Sequence, residues 1–312
     1  MISVIIPNYN HAKFLRKRLA SILEQTYQDL EVIILDDCST DNSRAIIEEY
    51  RIHPLVKKII YNAQNSGSPF IQWNKGVALA QGDYVWIAES DDYADQNMLS
   101  SCLDALMTSP SSDLAYCDSL EIDEQDNIAG RWSRWQEKLS PNLWTSDFVI
   151  SGPHLNSTYN RVANIIPNAS CVLFRRNAYM KSPFLKRIEK LKCTGDWLMW
   201  FSILQHTNVC YCHRPLNYFR YHQATTRSDT NTRLLNVKEH YEAIYTLSQM
   251  IHPLSDVKNH KNKLTELFTS WNPSFRLFWR KENRQIFHYA MKADPQIISR
   301  LFHLLLKRLH VI

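Results

Sequence analysis

Glycine is scarce in this chain of 312 residues, which contains only 6 where a globular protein of this size has roughly 7%. Neither GxGxxG nor GxxxxGK[ST] occurs. The glycine-rich loops that bind dinucleotides or nucleoside triphosphates are therefore missing. A nucleotide bound by this protein must be held mainly by side chains.

Long apolar runs and a cysteine framework are missing as well. No uncharged apolar stretch reaches the roughly 18 residues of a membrane-spanning helix, and no basic region precedes the short apolar run at the N-terminus, so neither an anchor nor a signal peptide is predicted. The 7 cysteines are an odd number without regular spacing, which indicates reduced thiols. We expect a cytoplasmic protein.

Charge is distributed unevenly. The net charge is +5, but residues 251–312 carry 11 lysine and arginine residues against 4 acidic ones, a net +7, which leaves −2 for the rest. A basic C-terminal region favours an anionic partner, either a membrane surface or a nucleic acid. A solvated helical face is the alternative.

Strand and helix patterns alternate through the first hundred residues and then loosen. Strands are predicted at 3–6, 31–35, 56–61, 83–88, 114–117, 170–174, 208–212 and 215–221, and helices at 13–25, 41–50, 69–80 and 196–205. The alternation predicts an α/β fold with a mainly parallel sheet flanked by helices. From about residue 234 onward the pattern is helical, which predicts a C-terminal helical extension.

Polar clusters follow three of the predicted parallel strands, at 7–10, 36–37 and 89–92. The carboxyl ends of parallel strands meet at one edge of a sheet, and ligands bind there. A carboxylate at Asp37 can accept hydrogen bonds from a base or a ribose, and the ring of Tyr9 can stack on a base. A simple turn at Asp37 and a buried Tyr9 are the alternatives.

Glu89, Asp91 and Asp92 place three carboxyl groups within four positions at a strand end. Mg²⁺ and Mn²⁺ prefer oxygen ligands and often bind one or two carboxylates together with phosphates. Like charges this close are unfavourable without a cation, so a metal site is predicted. The alternative is that Asp91 or Asp92 caps a helix beginning near Asp95.

Five segments between residues 3 and 92 form an ordered pattern. They are S-V-I-I-P-N-Y-N (3–10), E-V-I-I-L-D-D-C-S-T-D (31–41), N-S-G (65–67), N-K-G (74–76) and G-D-Y-V-W-I-A-E-S-D-D (82–92). The pattern resembles the N-terminal signature of family 2 glycosyltransferases. This resemblance implies a GT-A (Rossmann-like) fold and inverting transfer from a nucleotide sugar. The QxxRW motif of processive members is absent, which favours addition of a single sugar.

The resemblance also implies roles at matching positions. The final acid of the motif, Asp92, would bind the metal under the donor diphosphate, and Glu89 stands where the family usually has Asp. Asp37 would contact the edge of uracil or thymine. The implied nucleotide-sugar-binding residues are Pro7, Tyr9, Asn10, Asp37, Asn65, Lys75, Glu89, Asp91, Arg220 and His222.

The second half of the chain offers one candidate catalytic base. Asp196, at the start of a predicted helix, resembles the family aspartate that takes the proton of the acceptor hydroxyl. An ordinary helix cap is the alternative. Arg220 and His222 resemble basic residues that meet the donor phosphates, and a solvated loop is the alternative.

These features predict three regions: 1–118 as the nucleotide-sugar-binding half of the GT-A domain, 119–230 as its acceptor-binding half, and 231–312 as a basic helical extension. Residues 296–312 form an amphipathic pattern, with Ile298 and Phe302 on its apolar face. Peripheral contact with the inner face of a membrane is predicted, with docking on the catalytic domain as the alternative. No recognition motif accompanies the basic charge, so nucleic acid is not expected.

We therefore expect a Mg²⁺- or Mn²⁺-dependent glycosyltransferase. It would move a single sugar from a UDP- or dTDP-sugar to a hydroxyl of a glycan or lipid-linked acceptor in cell-surface polysaccharide biosynthesis. One alternative is a nucleotidyltransferase, which would need a Gly/Arg/Lys-rich phosphate loop that residues 7–10 do not supply. The other is a non-catalytic protein that only binds a nucleotide sugar.

Overall fold

The computed structural model describes residues 1–161, 163–222, 230–250, 257–271 and 281–308. The strands are β1 (Ile2–Asn8), β2 (Leu30–Asp36), β3 (Val56–Tyr61), β4 (Tyr84–Ile87), β5 (Tyr93–Ala94), β6 (Ser112–Ile122), β7 (Ile128–Arg131), β8 (Phe148–Ser151), β9 (Val172–Arg175) and β10 (Asn208–Arg220). The helices are α1 (Ala12–Leu23), α2 (Ser43–Glu49), α3 (Pro69–Leu79), α4 (Met98–Thr108), α5 (Ser133–Gln136), α6 (Gly152–Leu155), α7 (Arg176–Met180), α8 (Leu185–Ile188), α9 (Gly195–Ile203), α10 (Thr230–Ser248), α11 (Val257–Trp271), α12 (Lys281–Ala293) and α13 (Ile297–Arg308). Single helical turns lie at Leu143–Thr145, Asn156–Asn160 and Ala169–Cys171.

One sheet contains all ten strands, and its N-terminal half is parallel. The strand order is β3-β2-β1-β4-β9-β6-β10-β5, with β7 and β8 paired to β6 and β10. Strands β3, β2, β1 and β4 run parallel to one another. β1 and β2 are buried along their whole length, as the β-branched and leucine-rich runs predict. The predicted α/β fold with a mainly parallel, helix-flanked sheet is confirmed.

The second half of the sheet is mixed and differs in detail from the prediction. β9 lies antiparallel between β4 and β6, and β6 pairs in parallel with β10. The two extended segments predicted at 208–212 and 215–221 form one strand, because register shifts on either side of Pro215 let the strand pass a residue that has no amide hydrogen. β6 is longer than predicted, since it continues past Cys117 through the buried polar residues Asp118 and Ser119 to Ile122.

Close packing on this sheet explains the N-K-G segment. A Cβ atom on Gly76 of α3 would lie 2.3 Å from the Cγ2 atom of Ile5 in β1. Only glycine lets the helix approach the strand this closely. α3 is thereby held against β1, and its side chains reach the carboxyl edge of the sheet.

The chain forms two compact units. The sheet unit comprises residues 1–156 and 165–222, and the helical unit comprises 157–164 and the helices from Thr230 onward. In the helical unit, Trp271 is buried and its indole nitrogen donates a 2.7 Å hydrogen bond to Asn283, which joins α11 to α12. The division at residue 118 into donor and acceptor halves stays a prediction. Within the described ranges, no helix is both long and apolar enough to cross a membrane.

Candidate active site

The ends of β1 and β2 are tied together at the carboxyl edge of the sheet. Asn10 has a left-handed backbone conformation (φ 57°), which asparagine tolerates better than most residues. Its side-chain oxygen accepts a 2.8 Å hydrogen bond from the Thr40 amide, and its own amide donates to Ser39 Oγ at 3.0 Å. Pro7 pairs with Leu35 just below this junction. Tyr9 beside it is 45% exposed, so the buried alternative is wrong.

Asp37 is the centre of a dense hydrogen-bond network. Its buried carboxylate accepts hydrogen bonds from the amide groups of Asn62 and Gln72, at 2.6 and 3.0 Å, and from the backbone and hydroxyl of Ser66, at 3.0 and 2.7 Å. The predicted residues Asn65 and Lys75 belong to the same network. Asn65 donates to the Asp37 carbonyl at 3.1 Å, and Lys75 donates to the Asn62 side chain at 2.6 Å. The structure therefore brings Asp37, Asn65 and Lys75 together.

The acidic motif follows β4, and its first acid, Glu89, contacts an aromatic cluster formed by Phe70 and Trp73 of α3. The indole nitrogen of Trp73 in α3 donates a 2.7 Å hydrogen bond to Glu89 Oε1. Burial, followed by the neighbouring charge of Asp91, raises the pKa of Glu89 to about 8. Glu89 therefore holds its proton more tightly than an exposed glutamate does.

Asp92 is the buried anchor of the motif. Only 2% of it is exposed, and its two carboxylate oxygens accept hydrogen bonds from the Asn168 side chain and from the Arg220 backbone, the latter at 2.9 Å. The guanidinium of Arg18, completely buried, lies 4.0 Å away. Burial and the charge of Asp91 raise the pKa of Asp92 to about 7. These contacts fasten the β4 loop to the end of β10.

Asp91 instead joins two histidines. The ligand atoms of His11, Asp91 and His222 all lie within 4.8 Å of one another. His222 Nε2 is 3.0 Å from Asp91 Oδ2, and His11 Nδ1 is 2.8 Å from Ser90 Oγ. We call these three residues the His/Asp cluster. Two imidazole nitrogens and a carboxylate oxygen at this spacing can hold a divalent cation. The metal ligand expected at Asp92 stays a prediction, but the geometry favours its neighbour.

The electrostatics of the His/Asp cluster shift the pKa values of Asp91 and His11 downward. Burial alone would raise the pKa of Asp91, but the charge of His11 and the hydrogen bond from His222 outweigh it and lower the pKa to about 2. Burial lowers the pKa of His11, against the opposing charge of Asp91. An ionised carboxylate beside a neutral imidazole is the protonation state that metal binding requires.

Arg220 is held by the protein itself. Its side chain is 2% exposed and donates to the backbone carbonyls of Asp91 and Asp123, at 2.8 and 2.7 Å, and to the carboxylate of Asp126 at 2.6 Å. The solvated-loop alternative is therefore wrong for this side chain. In this arrangement Arg220 positions the acidic motif, and a contact with donor phosphates stays a prediction.

Asp196 lies in the first turn of α9, two residues after the cap position at Thr194. A Cβ atom on the preceding Gly195 would lie 2.7 Å from the ring of Phe70 in α3. Phe70 packs edge-on against Trp73, with ring centroids 5.0 Å apart, and Trp73 binds Glu89. The start of α9 therefore packs against the same aromatic cluster, Phe70 and Trp73, that Glu89 of the acidic motif contacts. The catalytic role of Asp196 stays a prediction.

The alternative that Asp91 or Asp92 of the acidic motif caps a helix is wrong. α4 begins at Met98 with Asn97 in the cap position, so neither Asp91 nor Asp92 caps it.

Sequence reasoning missed His11, Arg18 and Asn168 as parts of this site. His11 follows the 3–10 segment directly and could have been found there, whereas Arg18 looks like any polar residue of an amphipathic helix.

A family model of glycosyl transferase family 2 matches residues 3–180, more than half of the chain. The chain belongs to this family. The glycosyltransferase expected from the resemblance is therefore confirmed at the level of the family. The matched segment includes the Asp37 network and the acidic motif, whereas Asp196, Arg220 and His222 lie beyond it.

One relative and two solved structures are similar to this chain. The chain is 37% identical over 303 residues to the poly(ribitol-phosphate) beta-N-acetylglucosaminyltransferase TarS of Staphylococcus aureus. The aligned residues make up 96% of this chain but only 48% of TarS. The crystal structure of S. aureus TarS 1–349 in complex with UDP-GlcNAc has a TM-score of 0.62 at 19% identity, covering 92% of this chain and 79% of that one. The mannosyltransferase PcManGT from Pyrobaculum calidifontis, in complex with GDP-Man and Mn²⁺, has a TM-score of 0.57 at 16% identity, covering 95% and 86%. These structures confirm the GT-A fold of this glycosyltransferase.

Proposed function

We propose that this glycosyltransferase moves a single sugar from a UDP- or dTDP-sugar to a hydroxyl of a glycan or lipid-linked acceptor, with inversion, in cell-surface polysaccharide biosynthesis. The observation that carries the proposal is the His/Asp cluster beside the Asp37 network at one edge of a parallel sheet. A cation site of two imidazoles and one carboxylate, together with a network of polar side chains at the same sheet edge, suits a nucleoside diphosphate. The UDP-GlcNAc complex of TarS supports this donor class.

The nucleoside of the donor is assigned to the ends of β1 and β2. Tyr9 is exposed enough to stack on a base. Asp37, Asn65 and Lys75 form the rigid polar wall beside it, with Pro7 and Asn10 fixing the end of β1. Because this wall is prebuilt by internal hydrogen bonds, the donor would bind without ordering the loops first.

The residues fit a divalent cation. Asp91 and His222 would hold it, with His11 as the third ligand in reach. The imidazole nitrogens favour Mn²⁺ over Mg²⁺, which prefers oxygen ligands alone. When bound, the cation would neutralise the charge on the donor diphosphate as it leaves. Asp92 then acts as the buried anchor that keeps Asp91 in place.

The transfer step would use Asp196 as its base. The acceptor hydroxyl oxygen attacks the anomeric carbon from the face opposite the diphosphate, the bond from that carbon to the phosphate oxygen breaks, and the hydroxyl proton passes to Asp196. One displacement inverts the anomeric centre. The nucleoside diphosphate leaves with the electron pair of the broken bond.

A membrane contact through residues 296–312 is part of the proposal. In α13, Ile298 and Phe302 are 55% and 61% exposed and lie one turn apart. Arg300, from the expected polar face, pairs with Asp294 at 3.0 Å and donates to Thr265 at 2.7 Å, so this face packs within the helical unit. The predicted face continues to Leu309 and Ile312, and the polar face to His310, which lie outside the described residues. We propose that the exposed apolar residues meet the inner face of the membrane.

A panel of nucleotide sugars, with and without Mn²⁺, tests this function. Release of nucleoside diphosphate that depends on a UDP- or dTDP-sugar and on the metal supports the proposal. Release of pyrophosphate from a nucleoside triphosphate would instead support a nucleotidyltransferase. Binding of the donor without any release or transfer, across all acceptors tried, would support a protein that only binds nucleotide sugars.

A further inference from the structure

Six of the eight described tryptophans are buried, and the two that are not lie beside each other. The buried ones are Trp73, Trp86, Trp144, Trp197, Trp200 and Trp271. Trp132, which precedes α5, and Trp135 within α5 are only half-buried, with ring centroids 5.7 Å apart. Burial of a tryptophan ring removes a large apolar area from water, so a pair kept at the surface points to a ligand.

The two tryptophans belong to a row of four aromatic rings. The ring of Phe219 in β10 lies 6.0 Å from that of Trp132, and the ring of Tyr221 lies 4.9 Å from that of Phe219. Tyr221 is 39% exposed. We call Trp132, Trp135, Phe219 and Tyr221 the aromatic row.

A carboxylate lies at the edge of the aromatic row. Glu121 of β6 accepts a 2.9 Å hydrogen bond from the hydroxyl of Tyr221, and it pairs in register with Phe219 on one side and with Gly130 of β7 on the other. A Cβ atom on Gly130 would lie 2.6 Å from Glu121 Oε2, so glycine leaves the space that the carboxylate occupies. A carboxylate has about four acceptor positions, and the bond from Tyr221 uses one of them.

The aromatic row lies on the face of β10 that also holds Asp92. The side chain of Asn217 donates a 3.1 Å hydrogen bond to Asn168 Oδ1, and the Asn168 amide donates to the carboxylate of Asp92. Side chains two residues apart on a strand point to the same face, so Phe219 follows Asn217 on this face. The row therefore leads away from the acidic motif.

Hydrogen bonds fix the tryptophans in place. The backbone amide of Trp132 donates to the Ser119 carbonyl of β6 at 3.0 Å, and the side chain of Gln136 donates to the Ile165 carbonyl at 2.6 Å. α5 is thus anchored at both of its ends. A surface that is ordered in advance loses less conformational entropy when a ligand binds.

We propose that the aromatic row binds a cyclic sugar of a glycan acceptor, with the C–H groups of the sugar on the rings and its hydroxyls donating to Glu121. The face of an aromatic ring carries partial negative charge and attracts such C–H groups. This inference rests on the proposed function, because it names the chemical class of the acceptor. A hydrocarbon chain is a poorer match, since it would cover the carboxylate without donating a hydrogen bond.

The test measures binding of cellotriose and chitotriose to the full chain by NMR titration, with the acyclic polyol ribitol as the control ligand. The ring substituents of these β-linked sugars are equatorial, so both faces of each ring present C–H groups. Trp135→Leu should weaken binding roughly two- to tenfold, whereas Trp135→Phe keeps a ring and should bind within about twofold of the wild type. Glu121→Gln should also bind more weakly. The matched control is Tyr27→Leu, which removes a half-buried ring that precedes β2 and should leave binding unchanged.

Four outcomes would overturn the proposal: no binding of either trisaccharide by the wild type, equally tight binding of ribitol, unchanged binding in both W135L and E121Q, or an equal loss in Y27L. The thermal midpoint checks the fold of each variant, and E121Q, which removes no ring, decides the test if W135L does not fold. UDP binding is measured separately. Failure of the wild type to bind UDP would count against the proposed function, whereas normal UDP binding without trisaccharide binding would count against the aromatic row alone.

Discussion

Two strand ends of the same sheet hold their carboxylates in opposite ways. After β2, Asp37 is surrounded by neutral donors from Asn62, Ser66 and Gln72. After β4, the acids of residues 89–92 face cations and each other, and the pKa values of Glu89 and Asp92 are raised while that of Asp91 is lowered. Neutral donors make a stable wall. Crowded charges make a site that a further cation would stabilise.

The contrast also separates two adjacent residues. Both carboxylate oxygens of Asp92 accept hydrogen bonds from within the protein, and the residue is buried beside Arg18. Asp91 points to His11 and His222, where ligand atoms converge. One acid of the motif is therefore held by internal contacts, and we propose that the other binds the cation. Substitutions should divide in the same way, between stability and activity.

Arg18→Met should produce the largest effect. Removing this buried cation leaves Asp92 buried without its nearest positive charge, and breaking a buried pair costs about 3–5 kcal/mol. Urea unfolding followed by tryptophan fluorescence measures the loss. The double variant R18M/D92N should recover part of it, because the neutral amide no longer needs a cation.

Arg16→Met is the matched control for that prediction. Arg16 lies two residues away on α1 and pairs with Glu49 at the surface, where both side chains are about half exposed. Exposed ion pairs contribute little to stability. If the Arg18 and Arg16 variants unfolded at the same urea concentration, Arg18 would not be the structural cation of the acidic motif.

Asp91→Asn should remove activity while the fold is kept. Loss of one charge-stabilising group in an active site lowers kcat by about 10²–10³, and the expected drop lies in this range. Nucleoside diphosphate release across a Mn²⁺ titration measures it, with the thermal midpoint as the folding check. Asp83→Asn is the control, since Asp83 is exposed and precedes β4 at the opposite end of the strand. A Mn²⁺ response in D91N equal to that of the wild type would refute the cluster as the metal site.

Asp37→Asn should have an intermediate effect on both stability and binding. The amide nitrogen would face donors that now bind a carboxylate, and an unsatisfied buried donor costs about 1–3 kcal/mol. We expect a lower free energy of unfolding and weaker UDP binding by calorimetry. Cys38→Ser, next to it on the chain, serves as the control for changes to the same loop. Unchanged UDP affinity in a destabilised D37N would make Asp37 a structural residue only.

The parallel half of the fold could be predicted because its signals are local. β-branched runs end at Pro7 and Asp36, and each strand is followed by a helix with its own periodicity. The mixed half could not be predicted in this way, because the positions where its strands end depend on contacts with residues far away in the sequence. Asp118 reads as a loop residue, yet it is buried in β6 by an ion pair with Arg131.

The site was predictable where the topology alone collects residues at one sheet edge. Asp37 and the acidic motif follow from that rule. The His/Asp cluster could not be predicted from the topology alone, since 80 positions separate His11 from Asp91 and 131 separate Asp91 from His222. Which acid faces the histidines depends on the backbone turn after β4, and no sequence pattern distinguishes the orientation of Asp91 from that of Asp92.

Tyr9→Leu should produce the smallest effect and tests the wall beside Asp37. Tyr9 is 45% exposed, so its loss should leave the free energy of unfolding unchanged. Aromatic stacking contributes about 0.5–1.5 kcal/mol beyond burial of area, which predicts a two- to tenfold weaker affinity for UDP. Tyr9→Phe keeps the ring and should bind UDP like the wild type. Ribose 5-phosphate, which has no base, should bind equally to all three proteins, and a Leu variant that weakened both ligands equally would place the ring away from the base.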